Sequence, residues 1–353
     1  MTSRVLLLIL CLLPAATTAG GIQVQELPAL PEGVSNNAVA LLPGAGGVTL
    51  LSMQGLAHGK THADIHQRVW ILKPHMEQWH ALQDVPVSEG RLAGIAVTAA
   101  NTAWLFGGYT VAPDGAEAST REVFRFDAAN DLFVHITDMP VAVDDMTAFV
   151  YRDRYIYLVS GWHDLGNVNL VQVLDIETMV WMQATPYPGE AVFGHAGGMS
   201  GNRMVVCDGV RIQYPSDATA RQFLMSGECW LGRVDERDHR RIHWQPLPAH
   251  PGVARYRMAA GADGRGRIVF SGGTNNPYNY TGIGYNALPS EPENGVFRFN
   301  LDAMSWESGW SLPQGSMDHR GLAYHDGWFY LAGGMLGGQR VSDRVIRFRL
   351  DEP

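Results

Sequence analysis

Residues 103–108 read Ala-Trp-Leu-Phe-Gly-Gly, an apolar run that stops on two glycines, and it is one of six such stretches. The others are LLSMQG ending at Gly55, IYLVSG at Gly161, MVVCDG at Gly209, IVFSGG at Gly273 and FYLAGG at Gly334. Successive closing glycines lie 53, 53, 48, 64 and 61 residues apart. Short apolar runs closed by glycine, recurring at a period near fifty, are the pattern of propeller blades rather than of a sandwich.

Reading outward, each stretch has the same neighbours. A short apolar strand precedes it, such as GIAV from Gly94 or TAFVY from Thr147. A third strand follows: RVWIL from Arg68, EVFRF from Glu122, VQVLDI from Val171, ECWLG from Glu228, GVFRF from Gly295 and RVIRF from Arg344. Five units then carry a large aromatic, Trp79, Phe133, Trp181, Trp244 or Trp306, that opens a fourth strand. Four strands in each of six units predict one all-β, six-bladed propeller. The sixth unit stops after its third strand at Leu350, and residues 22–28 (IQVQELP) resemble the fourth strands of the other units. The N-terminal segment is therefore expected to complete the last blade, which removes an exposed sheet edge.

Composition narrows the class. The chain has 353 residues, 46% hydrophobic and 17% charged, so it is too apolar to be disordered. A net charge of −9 excludes the nucleic-acid backbone as a natural partner. Arg4, the apolar residues 5–13, Pro14 and a small-residue ending at Ala19 read as a secretory signal peptide over residues 1–19. Residues 20–353 are then a single propeller, exported to the periplasm or secreted. No later segment is apolar enough to insert in a membrane. Export admits a disulfide, and the two cysteines beyond the leader, Cys207 and Cys229, are expected to pair across one hairpin of the fourth unit.

The apolar run, Gly-Gly and aromatic pattern resembles the kelch repeat over nearly all of this span. Two local stretches are similar to the kelch mutarotases (epimerases) of sialic acid, N-acetylneuraminate: LAGGMLGGQRVSDRVI from Leu331, and the Asn- and Tyr-rich insertion NNPYNYTGIGYN from Asn275. That resemblance implies an exported propeller that interconverts sugar anomers, with a Glu and an Arg of the fourth unit as catalytic pair. Here the fourth unit reads Cys207-Asp208-Gly209-Val210-Arg211, where the family has Asn-Gly-Glu, so the family's carboxylate has no counterpart at that place. Interconversion of anomers needs only proton transfers at a positioned sugar, so no metal or organic cofactor is expected.

Loops joining second to third strands share one face with the turns that enter each blade. Those of units four and five are longest, 20 and 22 residues from the closing glycine to Cys229 and to Gly295, and are expected to wall a pocket. The unit-five loop offers Asn275, Asn276, Tyr278 and Tyr280, amides beside aromatic faces that suit a small polyhydroxylated molecule or glycan. The same residues also suit a loop packed on itself. The entering turns carry Asn36, Arg91, Asp145, His195, Arg257 and His319, with Asp144, Arg255, Asp318 and Arg320 beside them. Arg91, Arg257 and Arg320 are candidates to hold a carboxylate. Asp145 and His195, from consecutive units, are the candidate acid–base pair. A ring of inter-blade salt bridges is the alternative use of the same side chains. His58, His62, His66 and Asp64 in the first unit's loop have spacing that zinc tolerates, but a Gly-, Thr- and Ala-rich loop favours a solvated turn. Two further readings remain beside the enzyme: a glycan receptor without chemistry, and a protein-interaction scaffold marked by an apolar patch on one face.

Overall fold

The computed structural model describes residues 17–19, 21–44, 46–214 and 221–351, and over them the chain is a six-bladed β-propeller of antiparallel sheets. Blade three is representative. Its inner strand Thr147–Tyr151 pairs with Tyr155–Val159, which pairs with Val171–Asp175 and then with the outer strand Val180–Gln183. The inner strands of the other blades are Ala38–Gly44, Ile95–Ala99, Ala196–Ser200, Ala259–Ala262 and Ala323–His325. Blade six closes as the sequence predicts. Ile22–Glu26 pairs with Val345–Leu350, Ile22 opposite Leu350 and Glu26 opposite Ile346. Gln23 Nε2 donates to Asp351 and Arg347 Nε to Gln25, tying the two ends of the described chain by side chains as well. A further strand, Thr17–Ala19, pairs outside Ile22–Glu26 and gives this blade five strands. The rest of the expected leader lies outside the described residues, among which no helix is long and apolar enough to cross a membrane.

Alternation along each strand places successive side chains on opposite faces of a blade, so every blade is apolar on both sides. The core is accordingly divided into six seams. Leu51, Met53 and Ile71 face Leu105, Phe124 and Phe126 between blades one and two, while Leu41, Leu50 and Leu72 meet Tyr330 and Ala332 between blades six and one. The recurring aromatics each enter the seam with the preceding blade: Phe133, Trp181, Trp244, Trp306 and Trp79 do this in turn. Three also donate their indole N–H to a carbonyl at the end of the preceding outer strand. Trp79 reaches Pro28 at 2.8 Å, Trp306 reaches Pro248 at 2.8 Å and Trp244 reaches Thr185 at 3.4 Å. Each ring thus buries apolar area worth about 2–3 kcal/mol without stranding its one donor.

Candidate functional site

Six turns lead into the six inner strands, and each contains one residue in the left-handed region: Asn36, Ala93, Asp145, Gly194, Arg257 and Asp318, with φ between 52° and 72°. This conformation costs a residue with a Cβ about 1–2 kcal/mol. It is held by a ring of bonds around the axis. Asp145 N donates to Ala93 O, Gly194 N to Asp145 O, Arg257 N to Gly194 O and His319 N to Arg257 O; Ala93 N donates to the side chain of Asn36. The turn registers therefore differ from those read in sequence. Arg91 stands two residues before its ring position, and His195 and His319 one residue after theirs.

Inside the ring the side chains neutralise one another. Asp145 Oδ2 accepts from Arg257 Nε and Nη2 at 3.1 and 2.6 Å, and Oδ1 pairs with Arg320 Nη2 at 3.1 Å. Asp318 Oδ1 takes Arg257 Nη1 at 3.1 Å and lies 3.6 Å from Arg320 Nη2, which also donates to Asn36 Oδ1. The Arg257 guanidinium lies against the rings of Tyr256 and Tyr278, 4.7 and 5.1 Å from their centroids, and the two rings meet each other edge to face. All of these side chains are buried. Burial alone would raise the Asp145 pKa, but Arg257 and Arg320 outweigh it and hold the carboxylate below its ordinary value. Two cations matched to two carboxylates are an inter-blade clamp, which needs both partners to be tolerated in the interior.

His195 serves the same seam-closing purpose. Its Nε2 donates to Val159 O at 2.9 Å, at the end of blade three's second strand, and lies 3.0 Å from Thr147 Oγ1. Asn37 occupies the equivalent place in blade one and donates to Ala332 O of blade six. Burial drives the His195 pKa down to about 4, so the ring is neutral, and its Nδ1 has no partner. Arg91 turns into its own blade, where it pairs with Glu122 at 2.6 Å.

Below the ring, on the side of the hairpins that join first to second strands, an axial cavity of about 420 Å³ runs along the inner strands. Its closed end is formed by Asn37, Asp145, His195, His319 and Arg320; its walls reach Pro43, Val150, Met199 and Tyr324. Four of the turn residues named in sequence, Asp145, His195, His319 and Arg320, meet here, whereas Arg91 and Arg257 are absent from the lining. The described residues of the loops of blades four and five, expected to wall the pocket, do not line it either. They lie above the ring and close the other end. Tyr278 is fully buried with Phe193, Tyr256, Met317 and Met335, and Tyr280 packs against Leu92 and Tyr109 on the far side of the axis. Asn276 is spent within its loop on Leu288 O and Asn286, and Asn275 is exposed. The physical reason is hydrophobic: two tyrosines and two methionines are stabilised more by filling the axis than by fringing an open pocket.

Cys207 and Cys229 stand opposite each other in register and are joined by a disulfide. In the first loop, His66 is buried, and Asp64 accepts from Thr61 N as the cap of a single turn.

Sequence reasoning names Asp144 only as a neighbour of Asp145 and gives it no role of its own. Its Oδ2 accepts from Ser119 Oγ at 2.7 Å, and no ion pair engages it among the described residues. Burial, then the charge of Asp145, push its pKa well above the ordinary carboxylate value. Two consecutive aspartates leading into a strand were the available signal, because a left-handed second residue must send the two side chains different ways.

No protein-family model matches the chain. Among curated proteins it is similar to Kelch-like protein 15: 27% identical over 51% of this chain and 35% of the Gallus gallus protein, and 23% identical over 82% of this chain and 46% of the Mus musculus protein. The Homo sapiens protein is 22% identical over the same shares. The chain thus spans less than half the length of these relatives. The solved structure of YjhT shares the fold, with a TM-score of 0.69 at 15% identity, over 91% of this chain and 96% of that one.

Proposed function

We propose that this kelch-type propeller binds a monosaccharide-sized, polyhydroxylated ligand in its axial channel and interconverts its anomers there. The observation that carries the reading is the cavity of about 420 Å³ walled by six inner strands, each the edge of its sheet. Strand edges leave N–H and C=O groups unpaired in alternation, which suits hydroxyls that both donate and accept. The volume lies within the range of small-ligand sites. The sequence resemblance to sialic-acid mutarotases supports the chemistry, and the leader read over residues 1–19 supports an exported setting.

In this reading His195 Nδ1 takes the proton of the anomeric hydroxyl as the bond from anomeric carbon to ring oxygen breaks. The imidazolium passes that same proton to the ring oxygen, giving the open-chain carbonyl and hydroxyl, and reclosure on the other face of the carbonyl runs the transfer backwards through the same imidazole. Asp145, held ionised, stabilises the imidazolium, and Arg320 orients the sugar. Both arginines of the network are already matched by carboxylates, so a neutral sugar fits the channel's closed end as well as an acidic one. Saturation-transfer NMR of the purified chain with glucose, galactose, glucuronate and N-acetylneuraminate tests this. Accelerated anomer exchange that is lost in His195→Asn, with binding retained, supports it; saturation of none of these sugars refutes it.

A second reading rests on exposed apolar side chains in the loops of blades three to five: Leu165, Tyr214, Ile283, Tyr285 and Leu288. They lie on one face, as a protein-docking surface requires. On that reading Leu165→Ser with Tyr214→Ser abolishes partner capture and leaves sugar exchange untouched.

A further inference from the structure

We infer that the sugar taken by the axial channel carries an apolar chain, an alkyl or acyl group on carbon four or six, remote from its anomeric carbon; this rests on the sugar-binding reading of the channel. The length of the channel and the chemistry of its wall point the same way. From Asn37 to Pro43 the lining follows one strand for six residues, a rise of about 20 Å, several times the width of one sugar ring. The acidic and basic side chains of the lining are all at the closed end: Asp145, His195, His319 and Arg320. Beyond them the inner strands present Val39, Val97, Ala148, Val150, Met199 and Tyr324, all half-buried. Each leans one flank on a seam between blades and shows the other to the channel. The hydroxyl of Thr98 on this wall is already spent, donating to Leu41 O at 2.7 Å.

A second sugar ring laid against these side chains would meet mostly hydrocarbon, and hydroxyls that leave water without finding partners are costly to bury. A methylene chain in the same place covers the wall and is stabilised by the apolar area that both lose to water. The direction of the ligand follows from His195. Its Nδ1 has no partner, its ring is buried, and it stands at the closed end, so the anomeric hydroxyl it serves is there too. The opposite side of the sugar, which bears carbons four and six, then faces the apolar wall, and a chain can leave only from that side. Such an amphiphile, with its polar head at the ring and its chain toward the hairpins, fills both parts of the cavity.

Isothermal titration of the full chain with glucose and with 6-O-ethyl-, 6-O-butyl- and 6-O-hexylglucose tests this. Affinity should rise about threefold to fourfold with each added methylene. Val97→Thr with Val150→Thr places two hydroxyls on the wall at nearly unchanged shape; it should remove at least about threefold of the hexyl gain and leave glucose affinity as it was. Hexyl β-glucoside, whose chain sits on the anomeric oxygen, should bind no better than glucose. Equal affinity of all four sugars, with anomer exchange of glucose still accelerated, overturns the apolar chain and leaves the sugar reading of the channel standing. Saturation by none of them removes both. Hexyl β-glucoside or plain hexan-1-ol binding as tightly as 6-O-hexylglucose also overturns it, since the channel would then hold any apolar chain regardless of the sugar's direction.

Discussion

Asp144 and Asp145 are adjacent in the chain and opposite in electrostatic circumstance. Asp145 meets Arg257 at 2.6 Å and Arg320 at 3.1 Å, while the Asp144 carboxyl meets, among the described residues, only the Ser119 hydroxyl at 2.7 Å. The left-handed backbone at Asp145, φ 52°, turns its side chain into the clamp and leaves Asp144 facing the loops. Environments that drive neighbouring carboxyls apart in pKa divide their roles between structure and chemistry.

The division predicts opposite mutational effects. Asp145→Asn leaves Arg257 and Arg320 short of a counter-charge and costs about 3–5 kcal/mol at pH 7. Asp144→Asn is neutral or stabilising at that pH. The signs follow from linkage. The folded Asp145 pKa is depressed, so its contribution is present above the unfolded value of 3.8 and is lost as pH falls through the folded one. The folded Asp144 pKa is raised, so its contribution is full below 3.8 and is lost as pH rises toward the folded value. Urea denaturation from pH 4 to 8 should show a loss of stability with rising pH that Asp144→Asn removes.

His195 and Asn37 perform one task with two residue types, each donating across a seam to the last carbonyl of the neighbouring blade's second strand. His195→Ala strands the Val159 carbonyl and should cost about 1–3 kcal/mol, whereas His195→Asn should recover much of it. The histidine also makes the seam acid-sensitive. Its folded pKa is about 4 against an ordinary 6.5, so its contribution is full above pH 6.5 and disappears as pH falls toward 4. Thermal unfolding at pH 7 and pH 5 should separate the proteins, with His195→Asn losing less stability on acidification than the parent chain.

The propeller was legible because period, glycine and aromatic recur, and each recurrence reports a packing need that every blade shares. The closing strand was legible for the same reason. The ring was not, since five residue types, Asn, Ala, Asp, Gly and Arg, hold one backbone conformation at its six positions. Left-handed preference alone marks Asn36, Asp145, Gly194 and Asp318 but not Ala93 or Arg257. Without that register Arg91 looks axial, although the fold turns it toward Glu122. The inward fold of the blade-five loop was also hidden, because Asn and Tyr describe a ligand cradle and a self-packed plug equally well.

Gly194 and Ala93 occupy the same ring position, with φ 61° and 53°, yet only one needs to be glycine. A Cβ on Gly194 would lie 2.0 Å from Cε2 of Tyr256, a buried ring stacked on Arg257. Gly194→Ala should therefore cost about 3 kcal/mol or more, from overpacking plus backbone strain. Ala93→Gly relieves strain of about 1 kcal/mol and loses a buried methyl of similar worth. Equilibrium unfolding should find it within about 1 kcal/mol of the parent. Equal costs at the two sites would refute the assignment of Tyr256 as the constraint.

The disulfide joins cysteines 22 residues apart and closes a segment that contains a hairpin of its own, Val210–Gln213 with Gln222–Met225. Chain-entropy reasoning gives about 3 kcal/mol for a loop of this size. Its effect should be local as well as global. The strands it links, Arg203–Cys207 and Cys229–Val234, remain paired over several residues without it, so reduction does not undo the blade. The hairpin above them carries Phe223 and Met225, which pack into the cluster around Tyr256 and Tyr278, and Phe223 also stacks on Tyr285. Replacing both cysteines by alanine should lower the unfolding free energy by about 3 kcal/mol, leave anomer exchange in the channel unchanged and reduce amide-exchange protection of Val210–Gln213 and Gln222–Met225 at the loop face. The last two readouts decide where the bridge acts: a loss in the channel would mean that it supports the inner strands, and a loss at the loop face alone would mean that it holds Phe223 in place.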